Sequence, residues 1–236
     1  MTLPAGLFAP PFAHRGLWRA GGPPENSLSA FEAACRGGFG IELDVFLSAD
    51  NEPVVFHDDS LERMTGAKGL IWELSAAELS TLPLQGSADR VPTLAGTLDL
   101  IAGRAMVLVE IKASPAVGGA LEERVAEVLD RYPGPAAVIS FVPAALTWFA
   151  AHRPDRTRGL DAMNLDDPEG AARFEQACTL AKPDFLALEL ASAASEPAAR
   201  RRAGGQPVVA WTVRSAQDAA TVAPHCDNFI FEGFTA

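Results

Sequence analysis

Short apolar runs alternate with amphipathic stretches along the chain. The runs mark candidate strands at Phe12–Arg15, Gly40–Leu47, Pro53–His57, Met106–Lys112, Ala137–Phe141, Arg158–Ala162, Phe185–Leu190, Val208–Val213 and Asn228–Glu232. Several are nearly unbroken Val, Ile, Leu and Phe, the pattern of strands buried on both faces of a parallel sheet. Between them, apolar residues recur at helical spacing. Leu28, Phe31, Ala34 and Cys35 form one stripe, opened by Asn26 or Ser27 and closed by Gly37-Gly38. Leu94, Leu98 and Ile101 form a second after Thr93. Leu121, Val125, Val128 and Leu129 form a third, with Glu122 and Glu123 in its first turn and Arg131 at its end, as the helix dipole favours. Pro143 and Pro168 suit first-turn positions of two more helices, and Ser215 with Asp218 has the spacing of a capping box.

Alternating strand and helix predicts an α/β fold with right-handed crossovers. Nine strand signals exceed an eight-stranded barrel by one. Only Ser48 to Glu52 separate the second and third. A parallel crossover needs about a dozen residues, so these two must form an antiparallel hairpin turning at Ala49-Asp50-Asn51. Eight strands plus one hairpin arm make a (β/α)8 TIM barrel, expected to be one domain over residues 1–236. A doubly wound open sheet is the rival. The segment from Asp58 to Val91 is a long βα connection with a short helix candidate at Ser75–Leu82, placed where barrels build active sites.

Charge narrows the choice of partners. A formal net charge of -11 repels nucleic acid and anionic membrane, so neither is expected to bind. A phosphate-bearing substrate would have to be attracted by a few local cations or a bound metal. Cys35, Cys178 and Cys226 have no pairing or zinc-site spacing and read as buried reduced thiols. The first residues have neither a basic segment nor a long apolar run, and no stretch approaches a membrane span, so a soluble cytoplasmic protein is expected.

The chemistry lies in charged residues set inside apolar strands. Glu42 and Asp44 in IELDV are two apart and share a face. Buried like charges side by side require a neutralising cation. An exposed edge strand would remove that need, but the apolar neighbours argue against one. Glu110 and Lys112 in VLVEIK repeat the spacing, adding a third carboxylate and a cation. Three carboxylates are hard oxygen ligands suited to one Mg²⁺ or Ca²⁺ rather than zinc. His14 ends the first strand and His57 the hairpin arm. With the turn near Ala49-Asp50, paired residues sum to about 99, which sets His57 opposite Glu42. Histidine suits proton transfer near neutral pH. Arg15 and Lys112 are the local cations a phosphate-bearing substrate would need. His152 and His225, in helix-end and loop contexts, read as structural or solvated.

The motifs HRG, PENS, IELDV, VVFHDDSLERMTG, VEIK and VVAWTV, in this order from about residue 12 to residue 213, resemble the glycerophosphodiester phosphodiesterases. The resemblance implies the barrel, and metal-dependent hydrolysis of a small-molecule glycerophosphodiester to glycerol 3-phosphate and an alcohol. It implies Glu42, Asp44 and Glu110 as metal ligands, His14 and His57 as general acid and base, Arg15 and Lys112 on the phosphate, and Trp211 near the glycerol. The chain departs from the family pattern in three places. PENS replaces PENT, Arg214 stands where Asn is frequent, and NFIFEGF ends the last strand with Glu232 in the place of a Thr-Asp aspartate. The last two bear on the leaving alcohol. The PEN turn reads as a helix start only. Two rivals stand: a related enzyme acting on lysophospholipids, with Leu17 and Trp18 as an apolar apron, and a phosphate-ligand-binding barrel without catalysis.

Overall fold

The computed structural model describes residues 3–113 and 119–236. In chain order the elements are β1 (Phe12–His14), α1 (Leu28–Gly37), β2 (Gly40–Leu47), β3 (Pro53–Val55), α2 (Glu62–Thr65), α3 (Ala76–Leu79), α4 (Leu94–Ile101), β4 (Val107–Ile111), α5 (Ala120–Arg131), β5 (Ala136–Ser140), α6 (Pro143–His152), β6 (Arg158–Ala162), α7 (Pro168–Ala181), β7 (Phe185–Glu189), α8 (Glu196–Ala203), β8 (Val208–Val213), α9 (Ala216–Val222) and β9 (Asn228–Phe231). The strands pair in the order β1-β9-β8-β7-β6-β5-β4-β2-β3, and β1 also pairs with β2. Eight parallel strands thus close into a barrel, and β3 is the antiparallel arm outside the ring. No helix among the described residues is long and apolar enough to cross a membrane.

Local chemistry explains the helix boundaries. Ser27, Thr93, Asp167, Ser195 and Ser215 each accept a backbone N–H with the side chain at a helix start. Gly38, at φ 73°, closes α1 and donates its N–H to Cys35. At α9 the Asp218 carboxylate accepts from Arg214 N rather than from Ser215 N, so only half of the capping box forms.

The hairpin register differs from expectation by one. Val45 pairs with Val55, Phe46 with Val54 and Leu47 with Pro53, a constant sum of 100. On that register His57 faces Leu43 rather than Glu42. The ladder also stops early, with Phe56 N donating to Asp44 O as the last contact. The cause is steric. β1 and β3 share the β2 edge opposite β4, and β1 already holds Gly40, Ile41 and Glu42. The arm must therefore leave the sheet at Phe56 and bend at His57.

Two apolar layers flank the strands. Outward side chains such as Ile41, Leu43, Val107 and Val109 pack with the helices. Inward ones, among them Phe12, Leu108, Ile139, Phe185 and Val209, fill the barrel. Large and small residues face each other there. Phe12 pairs with Gly40, and Phe185 with Gly159. A third cluster holds the 58–91 connection against the hairpin, with Phe46, Phe56, Leu61, Met64 and Ile71 at its centre.

A Cβ added at Gly159 would stand 2.4 Å from the Phe185 ring. Gly159→Ala should therefore lower stability by about 1–3 kcal/mol in urea unfolding. An unchanged midpoint would mean that the Phe185 ring yields freely and that the barrel interior is not closely packed there.

Candidate functional site

The carboxyl ends of the strands surround a cavity of about 280 Å³. His14, Arg15, Glu42, His57, Glu110, Lys112 and Trp211 line it, and Asp44 lies behind them, fully buried. All eight residues singled out in the sequence are therefore gathered at one place. Asp44 and Glu110 are direct partners across β2 and β4. One oxygen each from Glu42, Asp44 and Glu110 lies within 4.8 Å of the others.

Such a cluster is costly without cations. Lys112 Nζ lies 3.0 Å from Glu110 Oε1 and 3.2 Å from Asp44 Oδ1. Arg15 Nε is 3.5 Å from Asp44 Oδ2, and its backbone N–H donates to Glu42. Two cations thus face three carboxylates, and Arg15 is shared with Glu25 at 2.9 Å. Asp44 Oδ1 receives no well-directed hydrogen bond. Burial, then Asp44 and Glu110, push the Glu42 carboxyl well above its ordinary range. Burial, then Asp44, push Glu110 up to about 7. Burial acts on Asp44 in the same sense, but Lys112 and Arg15 hold it well below the usual carboxylate range. An all-oxygen cluster short of positive charge fits a divalent cation.

The backbone adapts to this cluster. Arg15 and Asn26 both adopt left-handed conformations, at φ 57° and 53°, uncommon for residues with a side chain. Asn26 N donates to Arg15 O, which locks the two turns together. The result aims the Arg15 N–H at Glu42 and the Asn26 amide at Asp44 Oδ2, 2.7 Å away. The PEN turn is thus more than a helix start. Glu25 also accepts from Arg63 of α2, so it ties the loop after β1 to the long connection.

Both histidines are braced in the same way. His14 Nδ1 lies 2.6 Å from Glu232, whose other oxygen accepts from Arg214 Nε at 2.8 Å. His57 Nδ1 lies 2.6 Å from Asp58, which accepts from Arg63. Burial opposes ionisation of Glu232, but its bond to His14 and the neighbouring cations lower it to about 2. Burial likewise opposes ionisation of Asp58, whose bonds to Arg63 and His57 prevail and lower its pKa. Ionised carboxylates only accept, so each Nδ1 carries a hydrogen and each Nε2 is left to exchange a proton. His14 Nε2 lies 3.9 Å from Glu42.

Glu25, Asn26, Asp58 and Arg63 join the network though none was expected there, and Asp161 lines the same cavity. Asp161 had the most legible signal, a lone carboxylate inside the apolar strand RGLDA. Leu17 and Trp18 line a separate cavity with Pro23 and Phe234. The exposed apolar residues at the mouth are Phe141 and Met163, 41% and 43% exposed. Cys35 is half-buried rather than buried. His152 stacks on Trp148 and, like His225, stands outside the cavity.

Known proteins resemble the chain in sequence and fold. The chain is 37% identical over 130 residues to a glycerophosphodiester phosphodiesterase of Bacillus altitudinis, covering 51% of this chain and 52% of that one. A glycerophosphodiester phosphodiesterase of Caldanaerobacter subterraneus is 32% identical over 128 residues, covering 51% and 52%. The chain spans about half the length of the curated relatives it matches. An Oleispira antarctica phosphodiesterase, solved in complex with the product sn-glycerol-3-phosphate, superposes with a TM-score of 0.82 at 26% identity, covering 95% of this chain and 92% of that one. With the barrel, its carboxylate cluster and a sequence match over residues 14–225, the chain belongs to the glycerophosphoryl diester phosphodiesterase family.

Proposed function

We propose that the chain hydrolyses glycerophosphodiesters to glycerol 3-phosphate and an alcohol, using one divalent cation, Mg²⁺ or Ca²⁺. The observation that carries this reading is the pair of braced histidines beside the three-carboxylate cluster in one cavity. The family match and the product named for the Oleispira antarctica phosphodiesterase support it. β1 closes the ring against β9, which supports reading residues 1–236 as one domain.

Glu42, Asp44 and Glu110 would hold the cation. Bound there, it would offset charge developing on the phosphate oxygens. Arg15 and Lys112 hold the remaining oxygens, exchanging part of their contact with the carboxylates. One histidine accepts the proton of the attacking group and the other protonates the leaving alkoxide through Nε2. Glu232 and Asp58 keep the rings oriented and stabilise the imidazolium each must become. Trp211 presents a flat apolar wall to the glycerol. Phe141 and Met163, continuous with an apolar groove of about 410 Å³ between α6 and α7, favour a second reading in which the alcohol carries a lipid chain.

The direct test is release of glycerol 3-phosphate from glycerophosphocholine and glycerophosphoethanolamine, with a lysophospholipid assayed beside them. Release is expected with Mg²⁺ or Ca²⁺ and none with EDTA; activity that survives EDTA would remove the cation from the reading. His14→Ala and His57→Ala should each lower kcat about 100-fold or more, and near-normal turnover in either would end its proton-transfer role. Glu232→Gln should lower kcat about tenfold with little change in KM, since it disturbs only the brace.

Stability should report the cluster separately. Glu110 titrates near 7 in the fold against an ordinary 4.5, so the folded state holds the proton more tightly than the unfolded chain. Stability in EDTA should therefore fall as pH rises from about 4.5 to about 7. A saturating divalent cation should remove that fall, as read by Tm. The same slope with and without cation would argue against binding at these carboxylates.

A further inference from the structure

The cavity has two unlike halves. His14, His57, Arg15, Lys112 and the carboxylates make one side entirely charged. Of the remaining lining residues Ile139, Phe141, Met163, Trp211 and Ile230 are apolar, and Thr212, Arg214 and Asp161 of β6 are not. Asp161 is 5% exposed, and its Oδ2 is buried without a hydrogen-bond partner. A buried carboxyl left unsatisfied in an apolar wall costs stability and has no structural return. Arg15 and Lys112 are both already committed to the carboxylate cluster, so neither completes it.

The partner that fits is a hydroxyl on a small, mostly apolar carbon skeleton. A carboxyl can accept from such a group in either protonation state. The edge-to-face pair of Phe141 and Trp211, with centroids 5.5 Å apart, walls the space where the carbons would lie. A diester held at phosphorus by the charged side reaches this wall with one of its two arms. The other arm is left toward the open mouth.

We propose that Asp161 binds a hydroxyl of the glycerol arm and so selects diesters that carry one. The proposal rests on the hydrolytic reading above and adds a specificity-determining residue to it. It also explains why the strand keeps a carboxylate that packing alone would replace by Leu: the group is satisfied only when substrate is bound.

The test compares Asp161→Leu and Asp161→Asn with the unaltered protein on glycerophosphocholine and on ethyl p-nitrophenyl phosphate, a diester without hydroxyls. In Asp161→Leu, KM for glycerophosphocholine should rise about tenfold or more, the worth of one hydrogen bond, while kcat/KM for the hydroxyl-free diester changes less than about twofold. Asp161→Asn keeps a donor and an acceptor and should recover most of the loss. Tm of Asp161→Leu should not fall, which separates this role from a structural one. Equal losses on both substrates, or no loss on glycerophosphocholine, would overturn the proposal.

A binding arm runs without turnover. By calorimetry the unaltered protein should prefer sn-glycerol 3-phosphate to ethyl phosphate by about tenfold, and Asp161→Leu should lose that preference. Equal binding of the two by the unaltered protein overturns the subsite and leaves hydrolysis standing. A preserved preference without any hydrolysis of glycerophosphodiesters supports the subsite and overturns the reaction.

Discussion

Three carboxylates facing one another inside an apolar barrel are the constraint to which the rest of the molecule answers. Asp44 and Glu110 are register partners on adjacent strands, so the pleat itself brings them together. Everything around them supplies positive charge or hydrogen bonds. Lys112 comes from the same strand as Glu110, Arg15 from the end of β1, and Asn26 from a turn two loops away in sequence. The two left-handed residues, Arg15 and Asn26, are strained positions whose return is the aim of an N–H and an amide at these oxygens.

The barrel beneath is ordinary by comparison, and that contrast divides the labour. Toward the amino ends of the strands, Phe12 against Gly40 and Phe185 against Gly159 give a close-packed floor. Above it the inward positions turn polar. The stable layer can carry an unfavourable one because the floor and the outer helix layer are continuous apolar clusters. The histidines stand at the rim of that upper layer. Each is held through a carboxylate by an arginine, Arg63 of the short helix α2 or Arg214 just past β8, so their orientation depends on the rim and not on the floor.

Much of this was written in local patterns. The nine strand signals fall on the nine strands, and the five-residue gap after Leu47 sufficed to identify the hairpin. Parity put Glu42 with Asp44 and Glu110 with Lys112 on shared faces, and their apolar neighbours argued for the interior. Pairings between distant segments were not legible. The register of β3 depends on β1 holding the neighbouring positions of β2, which no window of sequence shows. Glu25 and Asn26 lie in a turn whose helix-capping duty belongs to Ser27, and that local role hid a contact 18 residues away. Arg63 meets Glu25 across 38 residues and was invisible for the same reason. Asp161 is different. Its strand showed the same charged-in-apolar pattern as β2 and β4, but without a second charge two positions away.

The edge of β2 shared by β1 and β3 has a consequence for how the molecule can vary. One strand carries two of the clustered carboxylates and docks both histidine-bearing segments. The distances among these groups are therefore set by backbone pairing with a single rail. The connections from residue 16 to 39 and from 58 to 92 begin just past the histidines, the first ending at β2 and the second just before α4. Apart from Glu25, Asn26, Asp58 and Arg63, which brace Arg15, Asp44 and His57, they can change composition while the spacing of these groups stays fixed. The spacing of the charged groups and the outline of the surrounding loops are thereby set by largely separable parts of the chain.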